Sequence, residues 1–151
     1  MKLRTGEPWM PAKDYAQTLK GLTVGLVVRD IGKAIQFQQE VLKTRVVYSD
    51  VDFAVLQGYG GEWMLHADHT YQEHPLENVF AKATQRGAGI ELRLHGCDPD
   101  AAAAAALRLG FKVLAGPEDK KHDLREAHLV DADGYVWVPD VPTKNHVTKD
   151  K

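Results

Sequence analysis

The sequence has one cysteine, Cys97, among its 151 residues, so no disulfide can form within the chain and a packed core must hold the fold together. Beside Asp98, this thiol reads as a small buried side chain rather than a nucleophile. A lone cysteine suits a reducing compartment, and the expected location is cytoplasmic. No apolar run approaches the ~18 residues of a membrane-spanning helix, so no membrane partner is expected. Residues 1–20 mix charge with proline and contain no apolar stretch, which argues against a secretory signal. An excess of one charge is missing too: 19 Lys and Arg stand against 21 Asp and Glu, for a net charge of −2. The basic residues are scattered, and no nucleic-acid partner is expected. What remains, 44% hydrophobic and 26% charged residues, is the composition of a soluble globular protein with a core of its own, as one domain or two fused half-size modules.

The most informative stretch is Glu62-Trp-Met-Leu-His-Ala-Asp-His-Thr-Tyr-Gln-Glu-His74. It alternates as a strand does, with Trp63, Leu65 and Ala67 on one face and Met64, His66 and Asp68 on the other. Three of the seven histidines (His66, His69 and His74) fall within it. Before it, residues 1–20 read as an extension whose Trp9, Met10, Tyr15 and Leu19 can lie on the body or on a partner subunit. Pro8 and Pro11 argue against a helix at its start. Thr23–Val28 is a split-face strand, with Thr23, Gly25 and Val27 opposite Val24, Leu26 and Val28. Asp30 caps a helix whose apolar stripe is Ile31, Ala34, Ile35, Val41 and Leu42, flanked by Phe37. Strands over Arg45–Ser49 and Phe53–Gln57 follow, and Gly58, Gly60 and Gly61 turn the chain into the opening stretch.

From His74 the spacing of Leu76, Val79, Phe80 and Ala83 predicts a connecting helix ended by Gly87. The order of the first half then recurs. Ile90–Leu94 alternates as a strand. Asp98-Pro99-Asp100 starts a helix through the alanines 101–106, closed by Gly110. Lys112–Ala115 and Arg125–Val130 read as strands, Asp131-Ala-Asp-Gly134 as a turn, and Tyr135–Val138 as the last strand, with Pro139 and Pro142 ending regular structure. Strand–helix–strand–strand–strand therefore occurs twice, a duplication at module scale.

The segment Val28-Arg-Asp-Ile-Gly-Lys-Ala-Ile-Gln-Phe-Gln-Gln-Glu-Val-Leu42, together with Asp131-Ala-Asp-Gly-Tyr-Val-Trp137, resembles the vicinal oxygen chelate superfamily of glyoxalase I, extradiol dioxygenases, fosfomycin-resistance enzymes and bleomycin-resistance proteins. The resemblance spans about 21–141. It implies an α+β fold of two βαβββ modules in tandem, forming curled mixed sheets around a cavity, and a homodimer of chains. On that reading 1–20 is an extension, 21–70 the first module, 71–88 a connector, 89–141 the second module and 142–151 a flexible tail. The metal positions of the family's enzymes fall at Thr23, Met64, Gly89 and Val138. None of these residues is a good ligand for a divalent transition metal, so no cofactor is expected at the usual positions.

If those positions mark the cavity face, strand parity places neighbours beside them. Val27 joins Thr23; His66 and Asp68 join Met64; Glu91, Arg93 and His95 join Gly89; Asp140 joins Val138. The opposite residues, Val24, Leu26, Val28, Trp63, Leu65, Ile90, Leu92, Leu94, Tyr135 and Trp137, are expected under the two helices. An unpaired carboxylate or guanidinium in a dry core costs several kcal/mol. Glu91 and Arg93 must therefore pair with each other, meet water, or both. The preferred reading is a small-molecule-binding protein with Val27, Met64, His66, Asp68, Arg93, His95 and Val138 against its ligand. The alternative is a lyase or dioxygenase. It would hold a divalent transition metal on a displaced set, His66, Glu91 and His95, or use His66 and Glu91 as a metal-free acid–base pair. A third reading makes the segment Trp9–Leu19 a partner-recognition element.

Overall fold

A computed structural model describes residues 1–143; the expected flexible tail lies, beyond residue 143, outside the described residues. The chain divides into two compact units, one of Met1–Gln39 with Thr44–Ala83, the other of Glu40–Lys43 with the chain from Thr84.

In the first unit helix α1 (Ala12–Thr18) precedes strand β1 (Val24–Val28). Helix α2 (Ile31–Gln36) continues as a π-helical turn, Phe37–Val41. Strands β2 (Arg45–Ser49), β3 (Phe53–Gly58) and β4 (Gly61–Ala67) complete a mixed sheet in the order β1-β4-β3-β2, with β1 parallel to β4. Asp30 caps α2 by accepting from the Lys33 N–H at 2.9 Å. Tyr59 and Gly60, both at positive φ, make the two-residue turn that the glycines predicted, with Gly58 opposite Gly61. Leu26, Val28, Ala54, Leu56, Trp63, Leu65 and Ala67 are buried with Phe37. The π-helical turn corrects one expectation. Phe37, expected at the flank of the stripe, is 1% exposed where the π-helical turn begins, and Gln38, seven residues after Ile31, is buried beside it. The buried amide oxygen of Gln38 accepts from Thr44 Oγ1 at 3.1 Å and Trp63 Nε1 at 3.3 Å, which satisfies three polar groups with one side chain.

A 3₁₀ turn (Asp68–Tyr71) follows β4, and then the one-turn helix α3 (Glu77–Phe80). The longer connecting helix expected over 76–83 does not form. Val79 is 67% exposed, so the apolar stripe lacks the packing that holds a short helix together. Gly87 serves another purpose. The connector docks by backbone onto the turn 131–134, through Arg86 N–H to Asp133 O at 3.1 Å and Gly87 N–H to Gly134 O at 3.3 Å. A side chain at Gly134, which sits at φ +92°, would place its Cβ 2.6 Å from Gln85 Cα.

The second unit repeats the sheet with β5 (Glu91–His95), helix α4 (Pro99–Arg108), β6 (Lys112–Asp119), β7 (Leu124–Val130) and β8 (Val136–Pro142) in the order β5-β8-β7-β6, β5 parallel to β8. Asp98 caps α4 by accepting from the Asp100 and Ala101 N–H groups. Ala102, Ala103, Ala105 and Ala106 are buried in contact distance of β6, β7 and β8, where their small side chains let the helix approach the sheet. Cys97 is buried with its Sγ 3.5 Å from Leu42 O. Three strand expectations change: β6, expected to end at Ala115, runs on to Asp119. Ile90 lies before β5 and is 58% exposed. And β8 runs through Pro139 to Pro142, because the pairings on either side of Pro139 (Trp137 with Leu129, Asp140 with Glu126) keep one register. The proline deletes a ladder donor without shifting the strand.

Candidate functional site

Register decides which residues look out of the first sheet away from α2. Gly25 is opposite Met64, Val27 opposite His66, Phe53 opposite His66, Val55 opposite Met64 and Tyr48 opposite Val55. The expected sharing of a face by Val27, Met64 and His66 is thus present. Asp68 departs from it: the strand ends at Ala67, and Asp68 opens the 3₁₀ turn, where alternation no longer applies.

This face is covered by the N-terminal segment. Trp9 stacks on Tyr48 with ring centroids 4.8 Å apart and lies 6.4 Å from Phe53. Tyr15 meets Phe53 edge-on at 5.9 Å and donates its hydroxyl to Glu62 Oε2 at 3.0 Å. Burial first, and the Glu62 carboxylate second, push the Tyr15 hydroxyl well above its ordinary range. The segment is fastened by Asp52, whose carboxylate is 1% exposed. One oxygen accepts from Leu3 N–H at 2.8 Å and faces His69 Nε2 at 2.6 Å. The other accepts from Arg4 N–H at 3.0 Å, with Arg4 Nη1 at 3.5 Å. Burial by itself would raise the Asp52 carboxyl, but the His69 and backbone N–H hydrogen bonds outweigh it and hold it at about 2.

Between cover and sheet is a cavity of about 240 Å³, walled mainly by Trp9, Tyr15, Phe53 and Met64, with His66 and Arg4 among its polar edges. The His66 ring lies over Gly25, where a Cβ would come within 3.6 Å of it, and packs against Phe53 and Tyr71 at 5.3 and 5.7 Å. It has no hydrogen-bond partner among the described residues. Burial lowers its pKa from the ordinary 6.5, which leaves a neutral imidazole facing the cavity at pH 7.

The remaining candidates form a second group, in the other unit. Glu91, Arg93 and His95 share a face with Val136, Val138 and Asp140. Arg93 reaches Glu91 at 2.9 Å, Glu126 at 2.5 Å and Asp140 at 3.2 Å. His95 Nδ1 lies 2.8 Å from Asp140, His128 Nε2 3.2 Å from Glu91, and His122 Nε2 3.5 Å from Glu126. Burial opposes the Glu126 charge, and the Arg93 guanidinium beside it lowers the carboxyl below its ordinary range. The expected Glu91–Arg93 pair is present inside this larger network. Val138 is fully buried beneath it.

The metal positions implied by the family resemblance carry the hydroxyl of Thr23, the thioether of Met64, Gly89 without a side chain, and the alkyl group of Val138. This donor set does not fit a divalent transition metal. The alternative set is divided, with His66 in the first unit and Glu91 and His95 in the second. Among the described residues no group of three His, Cys, Asp or Glu is placed to hold a metal ion. Asp52, Arg4 and the aromatic wall were not foreseen as site residues. The one sequence signal for them was the unplaced apolar set Trp9, Met10, Tyr15 and Leu19.

A family model described as the glyoxalase/bleomycin resistance protein/dioxygenase superfamily matches residues 21–138. No curated protein matches the sequence. Among solved structures, a glyoxalase/bleomycin resistance protein/dioxygenase family enzyme from Burkholderia phytofirmans PsJN superimposes with a TM-score of 0.65 at 18% identity, over 80% of this chain and 96% of that one. The fosfomycin resistance protein FosX from Listeria monocytogenes gives 0.60 at 15% identity, over 83% and 96%. TioX from Micromonospora sp. ML1 gives 0.58 at 18% identity, over 85% and 100%. At these identities the likeness is one of fold.

Proposed function

The chain belongs to the glyoxalase/bleomycin resistance protein/dioxygenase superfamily, and from that premise we propose that it is a small-molecule-binding protein whose site is the covered cavity of the first sheet. The observation that carries this reading is the cavity itself: aromatic walls, a volume of about 240 Å³, and an unpartnered imidazole at its edge. Ligand sites combine apolar walls with a few polar groups that fix orientation, and this one does so at a volume just below the usual range of about 300–1,000 Å³. Taking ~30 Å³ per water in the liquid, the space equals about eight waters, which suits a single-ring molecule. His66 would orient it, and Trp9, Tyr15, Phe53 and Met64 would enclose it.

The enzyme alternative, a lyase or dioxygenase, is favoured only by the neutral His66, which can accept a proton from a bound molecule. The Arg93 network is better suited to holding the second sheet together, since one guanidinium joins carboxylates from β5, β7 and β8. A homodimer belongs to the same proposal as an expectation of the family.

Single-ring aromatic compounds of about ten non-hydrogen atoms should quench Trp9 fluorescence with Kd values of roughly 10 μM to 1 mM, the range that ligand efficiency allows for such sizes. His66→Phe and Tyr15→Ala should each weaken them tenfold or more. If no such compound shifts the Trp9 emission or the resonances of His66, the reading is wrong.

A further inference from the structure

His66 is the polar group of this cavity whose hydrogen-bonding capacity is unspent. The lining is otherwise almost wholly apolar, and the polar side chains that reach it are engaged elsewhere. Tyr15 donates to Glu62 and Thr70 to Ala67 O, while Asp52 holds Leu3, Arg4 and His69. The Arg4 guanidinium faces Asp50 and Asp52. Lys2 is exposed, and a lysine so placed keeps its ammonium in water. The His66 ring, by contrast, has no hydrogen-bond partner among the described residues. Its nitrogens keep accessible surface, unlike the buried Arg4 Nε. Burial favours the neutral imidazole, which presents one acceptor nitrogen and one N–H.

Resting on the reading of this cavity as the binding site, we infer that its ligand is an uncharged single-ring aromatic alcohol, its ring against Trp9, Tyr15 and Phe53 and its one hydroxyl on the His66 imidazole. Each part of that class has a structural reason. The volume and the three rings select one aromatic ring, since offset and edge-on partners are already arranged around the space. Charge is selected against. A carboxylate or ammonium would leave water for apolar walls whose neighbouring ionic groups are already paired or solvated, at a cost of several kcal/mol. A hydroxyl both donates and accepts, so it can meet either nitrogen of the ring in either tautomer. A second polar group on the ligand would find no partner there.

Benzyl alcohol, ethylbenzene, benzylamine and benzoate share a ring and differ at one end, and NMR titration of the full chain with each at pH 7 separates the possibilities. Ethylbenzene gains more than the alcohol simply by leaving water, so the hydroxyl contact is read as a difference. His66→Phe should weaken benzyl alcohol at least tenfold more than it weakens ethylbenzene. In the wild type the ¹⁵N resonances of the His66 ring should shift several-fold further with the alcohol than with the hydrocarbon. The two ions should bind at least tenfold more weakly than the alcohol. Retained ethylbenzene binding shows that the variant's cavity is formed; should the phenyl ring disturb it, the wild-type ¹⁵N shifts and the ion series stand as independent readouts. Equal losses for alcohol and hydrocarbon in His66→Phe, or equal ¹⁵N shifts, overturn the hydroxyl assignment. An ion that matches the alcohol overturns the uncharged class. Either result leaves the cavity reading intact, whereas no binding by any of the four overturns both.

Discussion

Replacing Asp52 by asparagine is the sharpest test of how the N-terminal segment is fastened. In the native chain two backbone N–H groups, His69 and Arg4 converge on this one buried carboxylate. The fall of its pKa from 3.8 to about 2 measures how much better the native surroundings hold the charged form than water does. At 1.36 kcal/mol per pKa unit the difference is roughly 2–3 kcal/mol. Asparagine keeps the shape and one acceptor but not the charge, so at pH 7 it should cost about that amount. The loss is shared between the docking of residues 1–19 and the turn that carries His69, whose Nε2 also meets Asp52. Hydrogen exchange read residue by residue therefore suits the test better than a global melt: the Leu3 and Arg4 amides should exchange roughly tenfold faster or more in the variant. The pH dependence gives a second check. A depressed carboxylate stabilises above its unfolded pKa and loses that contribution as pH falls through its folded one. Wild-type protection at Leu3 and Arg4 should accordingly decay between about pH 4 and 2, while Asp52→Asn shows no such decay. Protection in the variant within threefold of wild type at pH 7, or parallel pH profiles, would refute the latch.

Three further outcomes follow from the geometry. Arg93→Met leaves Glu91, Glu126 and Asp140 facing one another without their cation; discounting for partial exposure of the guanidinium, about 2–4 kcal/mol should be lost in urea unfolding at pH 7. The Glu126 carboxyl, held below its ordinary 4.5 by Arg93, loses that contribution as pH falls below 4.5, so the deficit should shrink there, and a deficit constant with pH would count against it. Gly134→Ala adds a Cβ 2.6 Å from the Gln85 backbone at φ +92°, so the midpoint of thermal unfolding should fall by well over the few degrees of an exposed substitution, the strain and clash together being worth about 2–4 kcal/mol. The His66 ring should titrate below 6.5 by NMR because burial disfavours its cation; with its folded pKa depressed, it should subtract stability as pH drops below that value. A His66 midpoint at or above 6.5 would mean that the ring sits in water.

What could be read from the sequence and what could not divide along a physical line. Asp30 and Asp98 were legible as caps, and Met64, His66, Arg93 and His95 as face-sharing residues, because both signals depend on neighbours within a few positions. The errors came where a local pattern was extended past the point at which its cause stops. Alternation in the sequence continues to Asp68, one residue after β4 ends. Helical spacing continues over 76–83, where Val79 stays exposed. Pro139 has the look of a stop, although a strand tolerates one missing donor if both flanks hold register. The covering of the first sheet was out of reach for a different reason. Its fastening joins Leu3 and Arg4 to Asp52 through backbone N–H groups, and a backbone donor leaves no trace in residue identity. Asp52 itself sits in the short connection between β2 and β3, where an aspartate ordinarily signals only a turn. Trp9, Tyr15 and Leu19 did mark the segment as one that must be covered by something, yet hydrophobic residues name no partner. The choice between the body of this chain and a second subunit was made by a buried carboxylate nearly fifty residues away in sequence.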